Sequence, residues 1–169
     1  MILRCTKKLL DVIGARQLAD GVPDGEDWYA NLRWFKGRKC LLLTHAATLF
    51  TVFEADVRAA GLRDTGDLVT SLIRRELLRE HLATQTFGDL EPQEVIFAKT
   101  ADRSVMGCMN DMAFLCETVI IRSGGLAGTD IAGLNQALRR NINSARGYQP
   151  PIELVTHRLR RETGCAPQM

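Results

Sequence analysis

The architecture follows from residues 28–44, which have the sequence WYANLRWFKGRKCLLLT. Residues 28–35 and 38–44 are rich in aromatic and aliphatic side chains, which favour β-strands. Lys36 and Gly37 lie between these two runs and are typical of a two-residue hairpin turn. Because strands joined by so short a turn run antiparallel, the stretch predicts an antiparallel β-hairpin.

Further strands and helices are predicted on both sides of this hairpin. Strands are expected over residues 2–5, 48–53 and 95–100, the last in a central position because its apolar run is continuous. Apolar side chains at three- and four-residue spacing predict helices over residues 7–13, 67–82, 103–122, 131–142 and 152–161. The order indicates an α+β fold, with an antiparallel sheet of about four to five strands packed against several helices.

Length and composition predict one globular domain over residues 1–169, with residues 149–169 as a basic C-terminal extension that can hold a short helix. No apolar run approaches the roughly 18 residues of a membrane span, and residues 1–6 lack the pattern of a signal peptide. We therefore expect a cytoplasmic protein with no membrane contact.

The cysteines and histidines predict neither a metal site nor another cofactor. Five cysteines are an odd number, no two have Cys-x-x-Cys spacing, and no two of the three histidines are four residues apart. His45, just after a predicted strand, is interpreted as an ordinary polar residue. Common hydrolase, zinc-peptidase and dinucleotide-binding motifs are missing, which favours a protein that is not an enzyme.

The helix over residues 103–122 carries the best-defined candidate site. Asp102 or Ser104 can cap its start, and the free N–H groups there attract anions. Gly107 and Phe114 lie on its non-core side, which is smaller and more polar than an ordinary solvent face. Two interpretations stay open: a packing surface, or a site for a phosphorylated small molecule. The residues of such a ligand site are Lys99, Arg103, Ser104, Asn110 and Asp111.

Basic residues provide a second candidate, a nucleic-acid interface. The whole chain carries a formal charge of only +2, but residues 139–169 contain six arginines and two acids, a balance of +4. The hairpin interleaves aromatic and basic side chains, which can stack on bases and neutralise phosphates. The residues of this interface are Arg33, Lys36, Arg38, Lys39, Arg158, Arg160 and Arg161.

Three blocks, at residues 1–10, 27–44 and 99–111, resemble a bacterial family classified only as a domain of unknown function. The resemblance covers roughly residues 1–150, and its most specific part is the block KTADRSVMGCMND at residues 99–111. In the family pattern an Asn often stands where Ala46 or Asp102 stands here. The resemblance implies a small bacterial cytoplasmic protein and supplies no activity, cofactor or catalytic residue.

The favoured hypothesis is a binding or regulatory module that forms a homo-oligomer. The helix over residues 67–82 supports it, because apolar side chains occupy two sides of that helix. The alternatives are a nucleic-acid-binding accessory protein, and an enzyme or ligand-binding protein for a phosphorylated small molecule.

Overall fold

A computed structural model describes residues 1–162, with side chains for residues 1–161. The strands are β1 (Ile2–Cys5), β2 (Trp28–Phe35), β3 (Arg38–His45), β4 (Thr51–Glu54) and β5 (Ile96–Lys99). The helices are α1 (Lys7–Ile13), α2 (Ala59–Arg63), α3 (Thr65–Arg79), α4 (Arg103–Arg122), α5 (Ile131–Arg140) and α6 (Pro151–Glu162). Five strands and several helices confirm the α+β prediction.

The five strands form one sheet in the order β4-β3-β2-β1-β5. The predicted hairpin is confirmed, because β2 pairs antiparallel with β3, from Trp28 opposite His45 to Phe35 opposite Arg38. The prediction of a purely antiparallel sheet is wrong, since β1 pairs parallel with both β2 and β5. The segments that connect these strands are long enough to cross the sheet and return in the same direction.

The predicted central position of β5 is also wrong, because β5 is an edge strand. Ala98 is fully buried, whereas Ile96 is half exposed. A short apolar run has the same appearance in a central strand as in an edge strand that is covered on one side.

Helices cover both faces of the sheet, and neighbouring side chains of β2 belong to the hydrophobic cores on opposite faces. Trp28 belongs to the core under α1, α2, α3 and α6, whereas Tyr29 belongs to the core under α4 and α5. Seven side chains of α4 are buried, although the helix is long and apolar enough to cross a membrane by length and composition. The core helix of a soluble protein meets the same criterion, so this test does not separate the two cases.

The outer edge of β4 is closed by α5. Asn135 donates to the carbonyl oxygen of Phe53 at 2.8 Å and accepts from its N–H at 2.7 Å. Arg139 donates to the carbonyl oxygen of Thr51 at 3.3 Å. These side chains satisfy backbone groups that would otherwise be open to pairing with another strand.

The same arginine joins the two helical layers around this edge. Arg139, on α5, is fully buried and bonds Glu76 of α3 at 3.1 Å and Glu80 at 2.7 Å. Burial opposes ionisation of Glu80, but hydrogen bonds from Arg140 and Arg139 hold its pKa below the ordinary value. Arg75 and Arg79 also bond Glu76, so the buried carboxylate is fully compensated.

Residues 151–162 of the predicted C-terminal extension form α6, and Val155 anchors that helix in the core. Arg158 of α6 pairs at 2.7 Å with Glu26 in the acidic loop before β2. Residues 163–169 of the extension lie outside the described residues.

Candidate functional site

The start of α4 is capped by its own chain. The carboxylate of Asp102 accepts hydrogen bonds from the N–H groups of Ser104 at 2.8 Å and Val105 at 3.2 Å. The N–H of Asp102 in turn donates to the Tyr29 hydroxyl at 3.2 Å. A negative charge therefore already occupies the position at which a phosphate would bind.

The five predicted ligand residues are all exposed, and none of them lines any of three cavities found within the described residues. Their side chains make no hydrogen bond or ion pair within residues 1–161. The structure thus brings four of them onto the solvent side of one helix, with one at the strand end before it, rather than into a cleft. They are Lys99, Arg103, Ser104, Asn110 and Asp111.

The aromatic side chains of the predicted nucleic-acid interface belong to the core. Trp28, Tyr29 and Phe35 are buried, and the ammonium group of Lys8 lies 3.6 Å from the ring centroid of the half-buried Trp34. The hairpin therefore offers no fully exposed ring on which a base can stack.

The basic residues of that predicted interface fall into two groups. Arg33, Lys36, Arg38 and Lys39 lie near the closed end of the hairpin, and Arg38 pairs with Asp56 at 2.7 Å. The other group, Arg158, Arg160 and Arg161, lies on α6. Arg158 contacts Glu26 beside the open end of the hairpin. Seven residues of extended strand, about 23 Å, separate the open end of the hairpin from its closed end. The fold does not gather the two groups into one patch.

The outer face of α4, by contrast, carries exposed groups in a regular arrangement. Phe114 is 71 % exposed and Ile121 is 64 % exposed, and both follow Gly107 at seven-residue intervals. Residues seven apart lie on the same side of a helix, so these three form one row. Arg103, Asn110 and Glu117 form a neighbouring row with the same spacing. The sequence already indicates this polar face, with Phe114 on it, but the five predicted ligand residues do not include Phe114 or Glu117. The repeated seven-residue spacing is the signal that joins these two residues to the face.

Nothing within the described chain accounts for glycine at position 107. A Cβ atom placed there would meet no atom within 4 Å, and the residue does not have a positive φ. Glycine inside a helix costs roughly 1 kcal/mol relative to alanine. Close approach of another molecule at this turn would offset that cost.

The charged residues of the second row are placed symmetrically about Asn110. Arg103 lies seven residues before Asn110 and Glu117 lies seven residues after it. When two such helices cross at Asn110, each Arg103 lies opposite Glu117 of the second copy. Phe114 then lies opposite the turn that contains Gly107, where the missing side chain leaves room for a ring.

A second unusual centre lies at the open end of the hairpin. His45, at the end of β3, is completely buried, and its Nδ1 lies 3.0 Å from the Thr48 hydroxyl. Its ring contacts those of Trp28 and Phe87, with centroids 5.3 and 4.4 Å away. Among the described residues, its Nε2 has no hydrogen-bond partner.

Burial keeps the His45 ring neutral, and the neighbouring charges do not reverse this effect. Glu26 lies 3.9 Å from Nε2, but this carboxylate is already paired with Arg158. Burial, and to a lesser extent the charge of Arg158, lowers the pKa of His45 to about 3. The ring is therefore uncharged near neutral pH, and the interpretation as an ordinary polar residue overlooked its burial.

The described cysteines are buried free thiols. Burial raises the pKa of Cys5 and of Cys116 to about 12, so both stay protonated at neutral pH. A protonated thiol is a poor nucleophile. Cys165 lies outside the described residues.

Comparison with known families identifies the family of this chain. The family described as Domain of unknown function (DUF6933) matches residues 2–154, and the chain belongs to that family. No curated protein matches the sequence.

Proposed function

We propose that this member of the DUF6933 family is a cytoplasmic, self-associating binding module that forms a homodimer through the outer face of α4. The observation that carries the proposal is the placement of Arg103 and Glu117 at equal spacing on either side of Asn110, beside a glycine at which a Cβ would meet no atom of the chain. The four cysteines that the structure describes are free thiols, which supports a reducing compartment. The bacterial origin stays a prediction.

A two-fold axis through Asn110 makes the contact closed and symmetric. Each copy supplies one arginine, one glutamate, one exposed ring and one gap, so each arginine meets a glutamate and each ring meets a gap. One helix face buries an area near the lower limit of specific interfaces, and we therefore expect a weak, reversible dimer.

The alternatives have less support. Asp102 occupies the start of α4, which weighs against a phosphorylated ligand there. The buried aromatic residues of the hairpin weigh against stacking on nucleic acid. Nucleic-acid binding stays a prediction, and salt-dependent affinity for DNA and RNA tests it.

A charge exchange tests the dimer. Arg103→Glu places like charges opposite each other at both ends of the helix pair, so we expect the dissociation constant to rise at least about tenfold. Arg103→Glu combined with Glu117→Arg recreates two opposite pairs and should restore association to within about threefold of the wild type. Sedimentation equilibrium over a range of protein concentrations measures both constants.

Arg122→Glu is the matched control. Arg122 is exposed on the same helix and carries the same charge, but it lies outside the two rows. Its reversal should leave the dissociation constant nearly unchanged. A wild-type chain that stays monomeric at high concentration contradicts the proposal, as does a double variant that associates no better than Arg103→Glu.

A further inference from the structure

A cavity of about 450 Å³ lies where the tip of the β2–β3 hairpin meets the end of α4. This volume is within the range of small-molecule sites, roughly 300–1,000 Å³. Its wall is mostly apolar and comes from β2, the segment after β4, α4 and the turn that follows α4. The apolar lining residues are Phe35, Ala55, Ile120, Leu126 and Ala127.

The polar side chains that line this cavity carry an excess of positive charge. Lys36 is exposed, and its ammonium group has no ion-pair partner among the described residues. Arg38 bonds Asp56 through Nη1 alone, at 2.7 Å, and both of these side chains are more than half exposed. Two cations and one carboxylate leave a net charge of +1 beside an apolar wall.

The two-residue turn requires a positive φ at its first position, and the residue found there is an unusual one for that conformation. Lys36 has φ 47° and Asp56 has φ 54°, a left-handed region that residues other than glycine rarely adopt. Asn or Gly suits the first position of this hairpin turn better than Lys does. Lysine at this position carries backbone strain that asparagine would reduce, and it brings a positive charge to the wall of the cavity.

We propose that this cavity binds a small organic carboxylate with an apolar body. The carboxylate pairs with Lys36 and with the donor groups of Arg38 that Asp56 does not occupy. The apolar body lies against Phe35, Ile120 and Leu126. This site does not depend on the proposed dimer, because it lies at the far end of α4 from Gly107 and Asn110.

Decanoate is a suitable probe, and isothermal titration calorimetry of the full chain measures its binding. We expect saturable binding of decanoate, with decanamide, its uncharged counterpart, at least about fivefold weaker. Lys36→Asn removes the charge and suits the positive φ, so it should weaken decanoate about fivefold without unfolding the chain.

Two further variants separate a site from general attraction to a basic surface. Lys39→Asn removes a neighbouring hairpin lysine that does not line the cavity, and it should leave decanoate affinity unchanged. Ala127→Trp fills the cavity from an exposed position and should abolish binding. The proposal is overturned by the absence of saturable binding, by equal effects of the two lysine variants, or by decanamide binding as well as decanoate.

Discussion

The ion network at the β4 edge and the outer face of α4 contain the same kinds of residue in opposite situations. At the β4 edge, Arg139 is buried and its guanidinium bonds Glu76, Glu80 and a backbone oxygen. On α4, Arg103 and Glu117 are exposed and find no partner within the described residues. The fold pairs the first set of charges within the domain and gives the second set no partner among the described residues.

This difference separates residues that hold the domain together from residues available to another molecule. Changes at the β4 edge should alter the free energy of unfolding and leave association alone. Changes on the outer face of α4 should do the reverse.

The largest effect is expected at Arg139. Arg139→Ala leaves Glu80 and Glu76 with one partner fewer in a buried site, so it should lower the free energy of unfolding by about 3–5 kcal/mol. Urea denaturation measures the loss. Arg140→Ala is the control, because Arg140 bonds the same Glu80 from an exposed position and should cost less than about 1 kcal/mol. Equal losses in the two variants would show that the buried network adds no particular stability.

A smaller effect, one that depends on pH, is expected at His45, the interior group that breaks the pattern of complete pairing. Its pKa is about 3 when folded, against about 6.5 in an unfolded chain. The unfolded state therefore binds more protons between these values, and the free energy of unfolding falls as pH drops below about 6.5. The loss should reach roughly 2 kcal/mol at pH 5.

Denaturation of the wild type and His45→Gln at pH 7 and pH 5 measures this dependence. The variant should lose markedly less stability between the two values than the wild type does. His157→Gln, at an exposed position on α6, should leave the wild-type dependence in place. If the His45 variant keeps the full loss at pH 5, other groups cause it.

Local patterns in the sequence are sufficient to predict most of the helices and strands. The hairpin and the helix over residues 103–122 were predicted from spacing that reports which side of an element is buried, and α4 has those bounds. The capping of this helix by Asp102 is likewise predicted from neighbouring residues alone. Parallel pairing of β1 could not be predicted in this way, because it depends on contacts between residues distant in sequence.

Long-range polar contacts were missed for the same reason. Glu76 lies on the apolar side of α3, among Val69, Ile73 and Leu77, and Arg139 follows Leu138 on α5. A charge on an apolar face indicates a buried pair, but the sequence does not name its partner. For the outer face of α4, composition raised the question, and the open space at Gly107 supplied the reason to expect a second copy.

A substitution at Gly107 should have the smallest effect on stability, and it should separate stability of the monomer from association most clearly. Gly107→Ala should raise the free energy of unfolding of the monomer by up to about 1 kcal/mol, since alanine is the better helix former and its Cβ meets nothing. The same methyl group fills the gap that Phe114 of a second copy needs, so association should weaken several-fold. Denaturation at low concentration and sedimentation equilibrium measure the two effects separately.

Gly61→Ala is the control for the helix-propensity part of this prediction. A Cβ there meets only Leu68, at ordinary contact distances of 3.7 and 3.8 Å, and Gly61 lies on α2, away from the outer face of α4. It should also stabilise the fold, and it should leave the dissociation constant unchanged. If Gly107→Ala stabilises the fold but weakens association, whereas Gly61→Ala only stabilises the fold, then a molecule outside the chain is the reason for glycine at position 107. A Gly107→Ala variant that is more stable and associates as well as the wild type would instead mean that the second copy does not approach α4 at this turn.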